Sequence, residues 1–196
     1  MARTSTIERT TGETSITLEL GLDGDGGGTR STGIGFFDHM LDLLARHGQL
    51  DLAVDARGDL ETGSHHTVED VGICLGKAID EALGDRAGIN RYGSAVVPMD
   101  EARASCAIDL SGRPYCAVDV PLPTGEIGGF EHELLEEFMR AVAANARCTL
   151  HIELERPGGV HHVIEACFKA FARALRAAVA IDPDSRGVPS TKGTLV

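Results

Sequence analysis

A five-residue motif that occurs twice constrains the fold of this chain more than any other feature. His65-His66-Thr67-Val68-Glu69 returns as His161-His162-Val163-Ile164-Glu165, 96 residues further along a chain of 196 residues. A repeat at this distance indicates two halves of similar structure. Apolar residues recur at helical spacing behind each copy, so we expect each motif to lie at the start of a helix.

The surroundings of the motif repeat as well. The predicted elements are strand-like runs at 15–22 and 104–120, helices at 37–45 and 134–144, and strands at 50–54 and 148–153. Aligning Val54 with Ile152 gives an offset of 98, which pairs His39 with Glu137. We therefore predict an α+β fold of two pseudo-equivalent halves, each a small mixed sheet with helices on one face.

These halves are expected to form a single domain, with boundaries at about 1–92 and 93–184 and a C-terminal tail at 185–196. Five glycine and aspartate residues at 24–28 read as a hairpin loop between strand-like segments. They lack the Gly-Lys-Ser/Thr ending of a phosphate-binding P-loop, so that function is not assigned to them.

Charge and cysteine content limit the partners and the cellular compartment that we expect for this protein. A net charge of −12 and a pI near 5.0 offer no broad basic surface, so we expect neither nucleic acid nor membrane as a partner. The five cysteines form no CxxC pair, and no apolar leader or run of 18 apolar residues occurs, which favours reduced thiols in a cytoplasmic protein. A phosphorylated small molecule would need a local basic pocket.

Spacing within the motif predicts metal binding. On a helix, residues i and i+4 share a face, so His65 with Glu69, and His161 with Glu165, can each hold one ion. The second histidine of each pair is rotated by about 100° and points elsewhere. A single copy could be a helix cap or a surface feature, but two equivalent copies favour two metal ions. Imidazole and carboxylate suit Mn²⁺, Fe²⁺, Co²⁺ or Zn²⁺ alike.

Six segments, taken together, resemble a known family. They are Gly35-Phe36-Phe37-Asp38-His39-Met40, His65 to Asp70, Pro98-Met99-Asp100-Glu101, Asp109-Leu110-Ser111-Gly112-Arg113-Pro114-Tyr115, His161 to Ala170, and Pro189-Ser190-Thr191-Lys192-Gly193. In this order they are similar to imidazoleglycerol-phosphate dehydratase over nearly the whole chain. The resemblance implies dehydration of imidazoleglycerol phosphate to imidazole acetol phosphate in L-histidine biosynthesis.

The resemblance also implies a cage of 24 subunits, with two Mn²⁺ ions per active site where subunits meet and with the substrate imidazolate bound to the ions. Its ligand sets are His65, Glu69, His161 and Glu165 for one ion, and His39, His66, His162 and residue 137 for the other. Some relatives carry histidine at position 137. Here we assign Glu137, since the repeat pairs it with His39, and we expect His132 to be a surface residue.

The remaining site residues are carried over by the same resemblance. Glu13 is the candidate proton carrier, with Glu165 as a second one, although Glu13 alone would read as an ordinary exposed charge before a strand. Residues that contact substrate would include Glu13 and His39, and its phosphate would be bound by Arg91, Arg113, Lys169, Ser190 and Lys192. Lys169 also fits a routine helical ion pair with Glu165.

Two other functions fit part of the pattern. A two-metal phosphatase would use the same ions to activate water, and would release phosphate. Metal storage in a helical di-iron protein is the non-enzymatic alternative, which the strand-rich pattern and the arginine and lysine positions disfavour.

Overall fold

The computed structural model describes residues 2–184 and 187–195. Its strands and helices, in chain order, are β1 Thr4–Thr10, β2 Thr14–Gly21, β3 Arg30–Ser31, α1 Gly35–Gly48, β4 Asp51–Gly58, α2 His65–Leu83, β5 Tyr92–Met99, β6 Ala102–Asp109, β7 Tyr115–Asp119, β8 Glu126–Ile127, β9 Phe130–Glu131, α3 Leu134–Asn145, β10 Thr149–Arg156 and α4 Val160–Val179. A short 3-10 turn at Leu60–Thr62 precedes α2.

The two halves have the same sheet topology. Strand order is β1-β2-β4-β3 in the first sheet and β5-β6-β10-β7 in the second. In both sheets the last strand runs parallel to its neighbour while the other pairs are antiparallel. Two mixed sheets with helices confirm the predicted α+β fold of pseudo-equivalent halves.

Each sheet buries one face under helices. Along β2, Ile16, Leu18 and Leu20 point inward and alternate with exposed residues, as a half-buried strand requires. Helix α2 lies on β1 and β2, and α4 lies on β5 and β6. The shorter helices pack across the halves, α1 on α4 and α3 on α2. We call this arrangement the crossed helix packing.

A continuous hydrophobic core joins the halves. Phe37 of α1 meets Phe138 of α3 edge to face, with ring centroids 5.4 Å apart, and Phe138 stacks on Phe168 of α4 at 5.2 Å. None of the five cysteines is in a disulfide, and four are buried. Burial raises the pKa of the Cys74 thiol to about 11, so this group stays protonated at neutral pH.

The hairpin prediction for the glycine-rich segment 24–28 is wrong. Strands β2 and β3 do not pair with each other, because both pair with β4, one on each side. The segment instead carries the chain past the end of β4, where a Cβ atom at Gly28 would come within 2.1 Å of the Leu52 carbonyl oxygen. Glycine is required there because the two backbones touch.

Among the described residues, no helix combines the length and the apolar character needed to cross a bilayer.

Candidate active site

Both copies of the repeated motif lie at helix starts. Glu69 Oε2 is 3.5 Å from His65 Nε2 on α2, and Glu165 Oε2 is 3.3 Å from His161 Nε2 on α4. The adjacent histidine rings are nearly perpendicular in both copies, at 85° and 83°. Each helix therefore presents one His-Glu pair on one face and a further histidine in another direction.

Buried polar contacts fix the first of these helices and α1. Asp70, which follows the first motif, is buried and pairs with Arg9 at 2.8 Å, and it accepts a hydrogen bond from the Thr14 hydroxyl. At the start of α1, the Asp38 carboxylate accepts hydrogen bonds from the backbone N–H and hydroxyl of Thr32, at 2.8 and 2.7 Å. These contacts hold His39 and the first motif in place.

His39 joins the second motif. Its Nε2 is 3.8 Å from Glu165 Oε2, and one donor atom from each of His39, His161 and Glu165 lies within 4.8 Å of the others. Burial raises the pKa of Glu165, but the hydrogen bond and charge of Lys169, whose Nζ is 2.5 Å away, outweigh it and lower that pKa. Glu165 is thus ionised at neutral pH and faces two imidazoles.

Within one chain this grouping differs from the ligand sets that the resemblance implies. There His39 belongs with His66, His162 and Glu137, whereas here it lies beside His161 and Glu165. Over the described residues, three or more donor groups converge at two places only, and neither includes His65 or Glu69. Among the described residues of one chain, neither four-ligand set therefore lies together.

The second histidine of each motif is held by a carboxylate. Both carboxylate oxygens of Asp59 are 3.1 Å from His66 Nδ1, and Glu101 Oε2 is 2.9 Å from His162 Nδ1. These hydrogen bonds raise the pKa of both histidines. Glu13 Oε1 faces the other nitrogen of His66, at 3.7 Å from Nε2.

Asp59 and Glu101 were not among the predicted site residues. Glu101 lies in one of the motifs that carry the resemblance, and the repeat could have assigned it a role. Leu18 pairs with Val54 and Cys106 pairs with Ile152, so β2 and β6 correspond at an offset of 88, which aligns Glu13 with Glu101. Asp59 carried no comparable signal.

The two candidates for the eighth metal ligand lie in different surroundings. Glu137 is in the first turn of α3, which packs on α2. His132 is only 8% exposed, so its assignment to the surface was wrong. The loop before β8 covers its ring, where Nδ1 donates to the Pro123 carbonyl at 2.8 Å and Gly125 lies against the ring edge.

Four of the predicted phosphate-binding residues meet in one cavity of about 770 Å³. Arg91, Arg113, Ser190 and Lys192 line it. Arg91 makes two hydrogen bonds to Asp109, at 2.7 and 3.1 Å, and donates a third to the Pro189 carbonyl of the tail at 2.9 Å. Lys169 does not line this cavity, since it is bound to Glu165 on α4.

The tail is anchored beyond this cavity too. Leu195 is buried, and the buried guanidinium of Arg86 donates to its carbonyl oxygen at 3.2 Å while pairing with Asp80. The described part of the tail, 187–195, is therefore held at both ends. Of the predicted tail 185–196, residues 185, 186 and 196 lie outside the described residues.

The fold and these side chains define a class of protein: a duplicated α+β enzyme with imidazole and carboxylate groups paired at two helix starts. A sequence model of imidazoleglycerol-phosphate dehydratase matches residues 32–175. The chain belongs to the imidazoleglycerol-phosphate dehydratase family. It is a hydro-lyase of histidine biosynthesis, as the resemblance predicted.

Individual relatives agree over the full length. The chain is 56% identical to the imidazoleglycerol-phosphate dehydratase of Moorella thermoacetica and 55% identical to that of Geobacter metallireducens, each over 195 residues and 100% of both chains. The crystal structure of the dehydratase from Staphylococcus aureus superposes with a TM-score of 0.83 at 41% identity, covering 91% of this chain and 99% of that one. The Pyrococcus furiosus enzyme, in complex with (S)-C348, gives a TM-score of 0.83 at 38% identity, with 96% and 100% coverage.

Proposed function

We propose that this chain converts imidazoleglycerol phosphate to imidazole acetol phosphate at a dinuclear Mn²⁺ site shared between subunits. The observation that carries this proposal is the convergence of His39, His161 and Glu165, whose donor atoms lie within 4.8 Å of one another. Family membership supplies the reaction, and this cluster brings His39, assigned below to one ion, beside His161 and Glu165, assigned to the other.

The donor chemistry fits the ion. The residues at both helix starts offer imidazole nitrogen and carboxylate oxygen, and four of the five thiols are buried. We assign His65, Glu69, His161 and Glu165 to one ion and His39, His66, His162 and Glu137 to the other. Bound there, the two ions would act as Lewis acids on the imidazole ring of the substrate.

The chain's own residues then bind the substrate and move protons. Dehydration takes a proton from one carbon and protonates the hydroxyl that leaves the neighbouring carbon as water, and the enol that results is reprotonated on carbon, as its O–H proton is lost, to give the ketone. Glu13 is exposed in the β1–β2 turn and faces His66, so it can carry a proton to or from the substrate. Glu165, kept ionised by Lys169, is the second candidate for this task.

We assign phosphate binding to the cavity beside the tail. Arg91 and Arg113 supply guanidinium groups, and Ser190 and Lys192 add a hydroxyl and an ammonium group from the tail. Lys169, bound to Glu165 on α4, would reach the phosphate only at a junction between chains.

We also propose assembly into the 24-subunit cage that the family resemblance implies. The ligand sets combine α2 and α4, but among the described residues His65 and Glu69 join no cluster with His161 and Glu165. Completing a set requires a second chain, so subunit contacts would create the sites.

Turnover of imidazoleglycerol phosphate tests the proposal. The protein is separated by size, and each fraction is assayed for loss of substrate, for imidazole acetol phosphate and for inorganic phosphate. We expect product with its phosphate retained, in the fraction of the large oligomer. Release of phosphate at the rate of substrate loss would favour the phosphatase instead, and an active monomer would contradict the shared site.

Metal content distinguishes Glu137 from His132. Glu137→Gln is expected to lower the Mn²⁺ content by one ion per site, because it removes a charged ligand. The control, His132→Ala, is expected to keep both ions while losing about 1–3 kcal/mol of stability, since it empties a buried position. Elemental analysis and thermal unfolding measure both effects, and the opposite pattern of metal loss would show that the repeat alignment is wrong.

A further inference from the structure

Two β-hairpin turns, one in each half of the chain, carry equivalent glutamates that make different contacts. Glu13 ends the β1–β2 turn and Glu101 ends the β5–β6 turn, and the strand register aligns them. Each faces the second histidine of the motif in its own half, His66 or His162. The repeat therefore includes a turn glutamate in addition to the His-His-x-x-Glu motif.

Glu101 is held by two hydrogen bonds. Its Oε1 accepts the backbone N–H of Gly159, which precedes α4, at 2.7 Å, and its Oε2 is 2.9 Å from His162 Nδ1. The carboxylate packs closely on the glycine pair before α4, where a Cβ atom at Gly158 would come within 2.7 Å of Oε1. Both oxygens of Glu101 are thus engaged in hydrogen bonds.

In the first half of the chain, the residue that binds Nδ1 of the second histidine is not the turn glutamate. Asp59 binds Nδ1 of His66 with both oxygens at 3.1 Å. Glu13 is left opposite Nε2 at 3.7 Å, beyond hydrogen-bond distance, although both turn glutamates are about half exposed. One turn glutamate is held by two hydrogen bonds, whereas its counterpart is not hydrogen-bonded to its histidine.

We infer that Glu101 is a positioning residue that sets the tautomer of His162, as Asp59 does for His66. A carboxylate on Nδ1 keeps the proton there and leaves the Nε2 lone pair for a metal ion. Asp100 also approaches this cluster and is exposed like Glu101, but the hydrogen bond to His162 Nδ1 comes from Glu101. The inference rests on the proposed function, because it needs His66 and His162 to be metal ligands.

Glu101→Gln tests the inference with little change of shape. A glutamine can satisfy Gly159 N–H with its oxygen, but its NH₂ group then faces His162 Nδ1 and favours the tautomer with the proton on Nε2. Asp59→Asn makes the same change at His66. Both variants should weaken the same ion, the one assigned to His39, His66, His162 and Glu137.

The measurement is an Mn²⁺ titration of the metal-free assembled protein, with free Mn²⁺ counted by its paramagnetic resonance signal. We expect the affinity for one of the two ions to fall about 10–100-fold in each variant, with the other ion and the melting temperature unchanged. Glu13→Gln is the matched control, because it alters the equivalent turn residue without removing a hydrogen bond to a histidine Nδ1, and the loss of affinity should be smaller than in Glu101→Gln. A merely structural role for Glu101 would lower the melting temperature without selecting one ion.

The outcomes separate the two proposals. Uptake of two ions by the wild type with an unchanged Glu101→Gln isotherm would overturn this inference alone. A wild type that takes up no Mn²⁺ would overturn the dinuclear site and this inference together. Selective loss of one ion in Glu101→Gln supports the inference whichever substrate the enzyme prefers.

Discussion

Removing divalent metal from the purified protein is expected to abolish dehydration, and adding Mn²⁺ is expected to restore it. Charge stabilisation by a bound ion is worth several kcal/mol in the transition state, so the rate should fall by about 10³-fold or more. Steady-state turnover before and after chelation measures the effect, with elemental analysis on the same samples.

Two comparisons make this experiment decisive. Fe²⁺, Co²⁺ and Zn²⁺ are added back in parallel, because imidazole and carboxylate ligands accept all of them. Circular dichroism of the metal-free protein shows whether the fold survives, which the buried core leads us to expect. Full turnover in thoroughly metal-free protein would end the proposed mechanism.

Loss of the tail is expected to produce the second large effect. Truncation after Val188 removes Ser190 and Lys192 from the cavity that Arg91 and Arg113 share. KM should rise about 100-fold, equivalent to two charge-assisted hydrogen bonds, and kcat should fall as well if phosphate binding aligns the reacting carbon. Initial rates over a range of substrate concentrations give both constants.

The truncation would also lower the stability of the protein, and a matched variant avoids this second effect. Truncation also deletes the buried Leu195, at a cost of about 1.5–3 kcal/mol, and takes one acceptor from Arg86. Replacing Ser190 and Lys192 together by alanine keeps both anchors, and should raise KM with an unchanged melting temperature and metal content. Unchanged kinetics in this double variant would show that the tail does not bind the phosphate.

Much of the fold could be predicted because each helix or strand expected in one half could be compared with its counterpart in the other half. The long helices and β2, β4 and β10 bury one face, so their apolar spacing is strong. Strand β3 and the β8–β9 hairpin have two residues per strand, too few for a pattern. Their positions depend on tertiary contacts, such as the close approach of Gly28 to Leu52, and not on local sequence.

Prediction of the site was limited in a similar way. Helical spacing gave the contact between His161 and Glu165, but not the approach of His39, which depends on how α1 packs on α4. The burial of His132 was missed because the loop that covers it lies several residues away and has no periodicity. Glu101 could have been found by extending the repeat alignment back to the preceding hairpin.

The crossed helix packing has a consequence for whether one half could fold alone. A polypeptide with one repeat alone would expose the apolar face of its short helix, since in this chain α1 is covered by α4 and α3 by α2. A symmetric pair of such polypeptides would cover both faces by exchanging these contacts. A chain of half the present length with this fold would therefore need a second copy to cover its short helix, whereas the fused halves cover each other within one chain.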